Sequence, residues 1–560
     1  MSEDTLILGG EFPASQHEQW MELVNKVLKG ADFKKTLVSE TYDGLEIQPL
    51  YSDVPAHPAA PGAFPFTRAV SANGNSQNGW AITQIYRHPD PAHDNALILD
   101  DLARGVTHLR LVMSDAARQG KLQLDDSPAN GDGIECYSLA DLDSLLENVR
   151  LDLAPVELQA GAAFFEYACA LMALWDKRAL NAADVSGSFS ADPATALAEF
   201  GELPASSAQM LERLATLAKY TAANYPDVRA VGVASAVYHN AGASHATEIG
   251  TALATGVTYL RAMSDAGMAI NDACGQLRFT LTTDTDYFQS ISKLRVMREL
   301  WAEVCKLCGA DEAAGAIDLH AVTSARMLSQ RDPWVNMLRG TIASCAAAIG
   351  GAASVTTQSY DAGLGHPSTL GRRISRNTQL LLQNESYIHR IVDPAGGAFF
   401  IENHGEALAE KAWQAFQSIE AQGGIFKALE NGSLQSSIAQ TRRQRMHDIA
   451  FRRKPLTGVS EFANLEENTI TTDKVDAEGA RRAALDRQAT ALANPPTIDK
   501  TDIDDLKQAL QNNATTLQVG KALSGQPSHA EALLPQRLGS EFEALRDASD
   551  RFLAKHGKRP

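Results

Sequence analysis

The chain has 560 residues, of which 44% are hydrophobic and 21% charged, with a formal net charge of -18 and a pI near 5.3. This is globular composition, far from that of disordered chains, and the length suggests two or more structural units of ~100–250 residues each. The acidic balance, without a dense Lys/Arg stripe, excludes nucleic acid as an expected partner.

The beginning of the chain does not resemble a signal peptide, because Glu3 and Asp4 stand where a basic region is needed and the apolar run 6–8 is too short. No stretch of the sequence approaches the ~20 consecutive apolar residues of a membrane helix. The six cysteines are scattered, which is typical of a reducing compartment. We therefore expect a cytoplasmic protein without a membrane partner.

Residues 1–66 are interpreted as an N-terminal arm. They combine an amphipathic stretch, Glu18–Leu28, with a Pro/Ala-rich run, Val54–Pro65, that suits an extended segment better than a core.

Between Trp80 and about Tyr360, short β-branched and apolar runs alternate with Ala- and Leu-rich segments that can form helices, which is typical of a parallel α/β fold. Eight such units predict a (β/α)8 TIM barrel over residues 67–462. The run Ile134–Leu139 is a further strand candidate, and the pattern alone leaves a doubly wound sheet open. The eight predicted strands are Trp80–Tyr86, His108–Met113, Val156–Gly161, Val185–Asp192, Val228–Ser235, Leu277–Thr283, Ile317–Thr323 and Ser354–Tyr360.

After the last predicted strand, a Gly/Pro-rich loop precedes two predicted helices, Leu370–Asn384 and Ala407–Gln422, which we expect to wrap the barrel. Residues 463–560 are polar and interrupted by prolines, and they are interpreted as a helical linker or tail with one or two helices.

Two short motifs have the spacing of metal sites. Cys305-Lys-Leu-Cys308 has C-x-x-C spacing, but no second pair lies at zinc-ribbon distance and the pair closes a predicted helix, so a structural role is favoured and no metal is expected. Asp318-Leu319-His320 begins like the D-x-H-x-x-G signature of cobalt ligation, but Thr323 replaces the glycine. His320 ends a barrel strand, so a substrate-facing histidine and a hydrogen-bonded core histidine both remain open.

Two further groups of residues are candidates for a pocket. Tyr238 and His239, in Tyr-His-Asn-Ala-Gly-Ala, follow the fifth predicted strand, where barrels carry function; an ordered loop is the alternative. Arg372, Arg373 and Arg376 lie near Arg390 and could hold a phosphate or carboxylate, although such arginines more often pair with acidic neighbours.

Taken together, several stretches resemble the methylmalonyl-CoA mutase family, from Phe12 to about Phe462. The resemblance implies a TIM barrel that threads the pantetheine arm of coenzyme A along its axis, a C-terminal cobalamin domain, and the radical rearrangement between methylmalonyl-CoA and succinyl-CoA. It makes Arg68 and Arg376 candidate substrate-binding residues. The matching stretches are Phe64–Arg68, residues 238–243, residues 252–262, residues 371–386, residues 392–402 and residues 410–424.

The sequence departs from the family's catalytic chains at three places, and in these it resembles the family's small, non-catalytic subunit. Residues 69–75 lack the tyrosine-bearing stretch of catalytic chains. Ala236 and Val237 stand where a reactive Tyr-His pair is expected, since Tyr238-His239 is offset by two residues, or ~6–7 Å along a strand. Residues 353–359 lack the final-strand histidine, which leaves His320 alone to match a family active-site histidine.

The expected function is therefore that of a small subunit in a heterodimer with a homologous catalytic large subunit, which would bind adenosylcobalamin and the acyl-CoA substrate. No catalytic residue is expected here, and Tyr238, His239 and His320 are the only candidates. The sequence ends at Lys558-Arg559-Pro560 without a flavodoxin-like cobalamin domain. This fits either a fragment of a longer chain or a natural arrangement in which another chain supplies that domain. The alternatives are a catalytic barrel that borrows cobalamin from another chain and, ranked last, an unrelated barrel lyase or aldolase.

Overall fold

The computed structural model describes residues 16–53, 59–124, 129–467, 470–492 and 496–560. Its centre is a closed barrel of eight parallel strands that follow each other in sequence order around the ring. The barrel closes where the last strand pairs with the first, with Ser354 opposite Ala81 and Thr356 opposite Thr83. The predicted TIM barrel is confirmed, and the doubly wound alternative is wrong because the sheet has no open edge.

All eight predicted strands are present, most of them shorter than predicted by one to four residues. The further candidate Ile134–Leu139 is not a strand: Ile134 forms a single bridge with Met113, and a helix begins at Leu139. The strands are β1 (Ala81–Tyr86), β2 (His108–Val112), β3 (Val156–Gln159), β4 (Gly187–Ala191), β5 (Val228–Ala234), β6 (Leu277–Thr283), β7 (Asp318–Thr323) and β8 (Ser354–Thr356).

The helices between the strands form the outer layer of the barrel. Those of the N-terminal arm and the barrel units are α1 (His17–Leu28), α2 (Phe33–Leu37), α3 (Pro91–Ala103), α4 (Asp115–Arg118), α5 (Leu139–Leu145), α6 (Phe164–Lys177), α7 (Pro193–Phe200), α8 (Ser207–Asn224), α9 (Ala236–Ala241), α10 (His245–Asp265), α11 (Ile270–Gly275), α12 (Tyr287–Leu307), α13 (Val335–Ile349) and α14 (Thr369–Asn384).

In the described part of the chain, seven helices follow the barrel units. They are α15 (Phe399–Glu420), α16 (Ile425–Glu430), α17 (Ser433–Ala450), α18 (Ala477–Leu492), α19 (Ile503–Gln511), α20 (Thr516–Leu523) and α21 (Ser540–His556). The two predicted wrapping helices correspond to α14 and α15 and are confirmed, and α15 begins eight residues earlier than predicted.

Residues 463–560 hold four helices in their described part, more than the one or two predicted, because the segment packs against the barrel. Helix α6 is apolar on all sides and is buried, since α19 and α20 cover its outer face. Ser528–His529 pairs with Glu202–Leu203 in a short antiparallel sheet. The tail therefore completes the hydrophobic core. The domain boundaries between residues 66 and 67 and between residues 462 and 463 stay predictions.

In the N-terminal arm, α1 corresponds to the predicted amphipathic stretch and has no buried residue. The Pro/Ala-rich run Val54–Pro65 lies partly outside the described residues, since 54–58 are not among them. Among the described residues, no helix combines the length with the apolar character that a bilayer crossing requires.

Side chains alternate along each strand between the helix layer and the barrel lumen. Leu319 and Ala321 of β7 belong to the hydrophobic core, whereas Asp318 and His320 face the lumen with polar neighbours. The core therefore lies between strands and helices, and the barrel axis is polar.

Candidate functional site

A cavity of about 320 Å³ lies at the C-terminal ends of β1 and β8, the face on which TIM-barrel enzymes place their active sites. Three imidazoles line this mouth cavity: His88 from the loop after β1, His93 from the first turn of α3, and His366 from the loop after β8. The ring centroids of His88 and His93 are 3.9 Å apart, and those of His88 and His366 are 5.7 Å apart. Closure of the barrel brings these rings together.

The imidazole of His88 is neutral at physiological pH. Burial lowers its pKa to about 4, helped by repulsion from His93 and His366. Its Nδ1 accepts the backbone N–H of Asp90 at 3.1 Å, and the Nε2 of His366 donates to the carbonyl of Gly131 at 2.7 Å. Burial also lowers the pKa of His366. His88 and His366 thus offer uncharged imidazoles.

Two carboxyl groups of the mouth cavity differ in protonation. Asp94 is buried and accepts the backbone N–H of His88 at 2.8 Å, and burial raises its pKa to about 7. Asp132 is paired with Arg87, with its Oδ1 2.5 Å from Nε. Despite the opposing effect of burial, Arg87 holds the pKa of Asp132 below its usual value. A carboxyl that titrates near neutrality is able to exchange a proton at physiological pH.

Sequence reasoning missed His88, His93, Asp94 and His366. The available signal was two histidines and an aspartate directly after the first predicted strand. Their partner His366 lies more than 270 residues away in sequence, so only strand order could have placed it beside them.

The predicted candidates Tyr238 and His239 lie on α9 and do not line the mouth cavity. Both are buried, and the hydroxyl of Tyr238 has no hydrogen-bond partner within the described residues. The His239 ring is bonded on both sides, with Nδ1 3.0 Å from Glu248 Oε2 and Nε2 2.8 Å from Ser324 Oγ. Burial lowers the pKa of His239 to about 4.

We call the buried group formed by Ser235, His239, Glu248, Lys293 and Ser324 the sealed cluster. Glu248 connects this cluster to α12. Its Oε2 accepts from the Lys293 ammonium at 2.7 Å, and its Oε1 accepts from the Ser235 hydroxyl at 2.6 Å. Burial alone would raise the pKa of Glu248, but Lys293 and His239 bring it well below the usual value. Ser324, His239 and Glu248 are in hydrogen-bonding order, and all three are buried.

His320 is fully buried in the lumen, with Nδ1 2.7 Å from Ser354 Oγ and Nε2 3.1 Å from Thr356 Oγ1. Burial, then Arg110 and Arg278, bring its pKa well below the usual value. Because both ring nitrogens are engaged inside the barrel, His320 does not fit the role of a cobalt ligand. Its role, as a core histidine or a substrate-facing one, stays a prediction.

A belt of charged side chains crosses the lumen around His320. Arg278 contacts Asp318 at 2.9 Å, Ser354 at 2.7 Å and Glu157 at 3.7 Å. Arg110 lies 3.5 Å from Glu157. Beside this lumen belt, a cavity lined by Arg278 and Thr280 measures about 50 Å³, well below the ~300–1,000 Å³ of ligand pockets.

The predicted substrate-binding arginines are paired inside the chain. Arg68 Nε donates to Asp393 at 2.9 Å, and Arg376 Nη1 donates to Asp101 at 2.6 Å. Arg372 bonds the second oxygen of Asp101 at 2.6 Å. Arg373 is exposed, and Arg390 lies 3.8 Å over the Tyr387 ring. The four arginines of the predicted cluster therefore do not converge on one site, and substrate binding by Arg68 and Arg376 stays a prediction.

The C-x-x-C cysteines have different environments. Cys305 is buried with its sulfur 3.4 Å from that of Cys274, whereas Cys308 is exposed. Across the part of the chain that the structure covers, no three His, Cys, Asp or Glu side chains are grouped to hold a metal ion.

A sequence model of the methylmalonyl-CoA mutase family matches residues 36–530. The methylmalonyl-CoA mutase small subunit of Streptomyces virginiae is 40% identical over 85% of this chain and 75% of its own length. That of Propionibacterium freudenreichii subsp. shermanii is 33% identical over 86% and 74%. The probable small subunit of Mycobacterium bovis is 34% identical over 94% and 74%. Because the family model and these relatives each match most of the chain, the chain belongs to the methylmalonyl-CoA mutase family.

Proposed function

We propose that this chain is the small subunit of an adenosylcobalamin-dependent methylmalonyl-CoA mutase, and that it supports a homologous catalytic large subunit without performing the isomerisation. The lumen belt carries this proposal. A pantetheine arm on the barrel axis would have to displace the buried contacts of Arg278 with Asp318 and Ser354. Breaking a buried charge pair costs ~3–5 kcal/mol, which opposes entry of the substrate.

The residues at the strand ends support the same role. Ala236 and Val237, where a reactive pair is expected, begin helix α9, and the neighbouring His239 is held by Glu248 and Ser324. No imidazole of the sealed cluster or of the lumen belt is free to move a proton to or from a substrate. Adenosylcobalamin, which supplies the radical chemistry when bound, belongs to the partner chain in this proposal.

The large subunit needs a surface to bind, and α13 offers one. Trp334, Leu338 and Ile342 follow each other at intervals of four residues, which places them on one face of the helix, and they are 46%, 65% and 42% exposed. In the arm, α1 exposes Leu23 and Val27 in the same way. Contiguous exposed apolar surface of this kind marks an interface. We propose that the large subunit covers both surfaces, in the cytoplasm.

Titration of the purified chain with its large subunit tests the proposal, with the mass followed by light scattering and the isomerisation measured with adenosylcobalamin. A one-to-one complex is expected, active only when the large subunit is present. Leu338→Asp should weaken assembly, whereas the control Leu153→Asp, at a leucine that is 70% exposed elsewhere, should not. Absence of any complex contradicts the proposal.

The mouth cavity favours one alternative, a catalytic barrel that takes its cobalamin from a separate chain. Its neutral imidazoles and the Asp94 carboxyl lie on the catalytic face of the fold. Isomerisation by this chain with a small cobalamin protein, and without a large subunit, would establish that alternative and exclude the supporting role.

A further inference from the structure

A groove of about 290 Å³ lies between α17 and the extended segment Glu531–Leu534. On the helix side it is lined by positions 435, 438, 439, 442 and 443, whose spacing of three and four residues defines one helix face. Gln435 joins the two walls, since its Nε2 donates to the carbonyl of Glu531 at 3.0 Å. We call this the α17 groove.

Two guanidinium groups of the α17 groove are free of partners. Arg442 and Arg443 form no ion pair or hydrogen bond with any described residue. Most arginines of the chain are engaged; Arg331, for example, contacts three carboxylates. In a chain of net charge -18, two adjacent free guanidiniums are unusual. They are available for planar, bidentate contact with carboxylates.

The stem of Arg442 is held in place by the backbone of Gly242. A Cβ atom at Gly242 would lie 2.6 Å from the Cβ of Arg442, so only glycine allows this packing. Arg445, one turn further along α17, donates to the carbonyl of Gly242 at 2.7 Å. A stem fixed in this way loses little conformational freedom when its guanidinium binds a ligand.

The floor of the α17 groove holds an acceptor without a donor. Gln435 is 5% exposed, and its Oε1 has no hydrogen-bond partner within the described residues. Burying an unpaired carbonyl oxygen is unfavourable, so a ligand that brings an N–H group gains a hydrogen bond here. Beside it, Leu534 exposes 68% of its surface. The groove thus offers two cations, one buried acceptor and an apolar contact.

We propose that the α17 groove binds an extended acidic segment of another protein chain. A backbone N–H of the segment donates to Gln435 Oε1, its carboxylates pair with Arg442 and Arg443, and an apolar side chain packs on Leu534. A free phosphate brings neither the N–H donor nor the apolar group.

Fluorescence anisotropy of a labelled decapeptide that alternates glutamate with leucine, added to the full chain, tests this proposal. We expect saturable binding that weakens by at least about tenfold in Arg442→Gln/Arg443→Gln. The control Arg373→Gln/Arg482→Gln removes the same charge from two other exposed arginines and should keep the affinity within about twofold. Gln435→Met should weaken binding without changing the net charge.

Three results would overturn the proposal. They are no binding at ~1 mM chain, equal weakening in the control variant, and equal binding of a decapeptide that alternates glutamine with leucine. Displacement of the peptide by inorganic phosphate at equal concentration would also overturn it, because the groove would then be a general anion site.

Discussion

Two histidine–carboxylate clusters lie at the C-terminal end of the barrel, and they differ in access to solvent. In the sealed cluster, His239 and Glu248 are at most 1% exposed, and both ring nitrogens of His239 are bonded. In the mouth cavity, His88, His93 and His366 line an open space of about 320 Å³.

The sealed cluster and the mouth cavity suit different roles, the first structural and the second chemical. Glu248 stays charged because the Lys293 ammonium compensates it and His239 is bonded to it, whereas Asp94 forms no ion pair with any described residue and burial raises its pKa to about 7. A sealed, compensated cluster stabilises the fold and resists any change. The open mouth cavity is able to bind a ligand or exchange protons at a small cost in stability.

The largest effect is expected from Lys293→Met in the sealed cluster. Removing the ammonium leaves Glu248 buried without its cationic partner, which should lower the free energy of unfolding by ~3–5 kcal/mol. Urea unfolding followed by circular dichroism measures this loss. Lys427→Met, which breaks the exposed pair with Glu430, is the matched control and should leave the urea midpoint unchanged. Equal midpoints for the two variants would show that the sealed cluster is not structural.

A smaller loss is expected from Arg278→Met in the lumen belt. The variant removes the hydrogen bonds to Asp318 and Ser354, but Arg229 still compensates the Asp318 charge, so the free energy of unfolding should fall by a total of ~1.5–3 kcal/mol. The free energy of unfolding from urea titration checks this. Arg104→Met removes an exposed pair with Asp100 and serves as the control. A higher free energy of unfolding in Arg278→Met than in the wild type would show that the lumen belt does not stabilise the barrel.

In the mouth cavity, Asp94→Asn should change the pH dependence of stability. The folded-state pKa of Asp94 is raised, so its contribution is fully present below about pH 4 and is lost as pH rises toward 7. The free energy of unfolding of the variant, relative to that of the wild type, should therefore rise by on the order of 1 kcal/mol or more between pH 5 and pH 8. Urea titrations at the two pH values measure the difference. A pH-independent difference would place Asp94 in a solvated environment.

The smallest effect concerns the protonation of His88. Because burial lowers its pKa to about 4, its imidazole should stay neutral between pH 8 and pH 5. Histidine-selective NMR follows the ring, with His88→Gln used to assign the resonance. A midpoint near the ordinary value of ~6.5 would show that the ring is solvated and charged like a surface histidine.

The sequence predicted the eight strands because each is an apolar run between turn residues. It overestimated the last strand, since the chain leaves the barrel after Thr356 to form the loop of the mouth cavity. It did not predict the pairing of Arg68 with Asp393 or of Arg376 with Asp101, because these partners are 325 and 275 residues apart. The mouth cavity was missed for the same reason, since β8 becomes a neighbour of β1 only in the closed barrel.

The central claim is that this chain supports catalysis without performing it. The most direct test is a heterodimer of the wild-type chain with a large subunit whose reactive Tyr-His pair has been replaced, assayed for methylmalonyl-CoA isomerisation with adenosylcobalamin. No turnover above background is expected, because we propose that the paired side chains of the lumen belt oppose entry of the substrate into this chain. Turnover comparable to that of the wild-type heterodimer would contradict the claim and assign the chemistry to this chain.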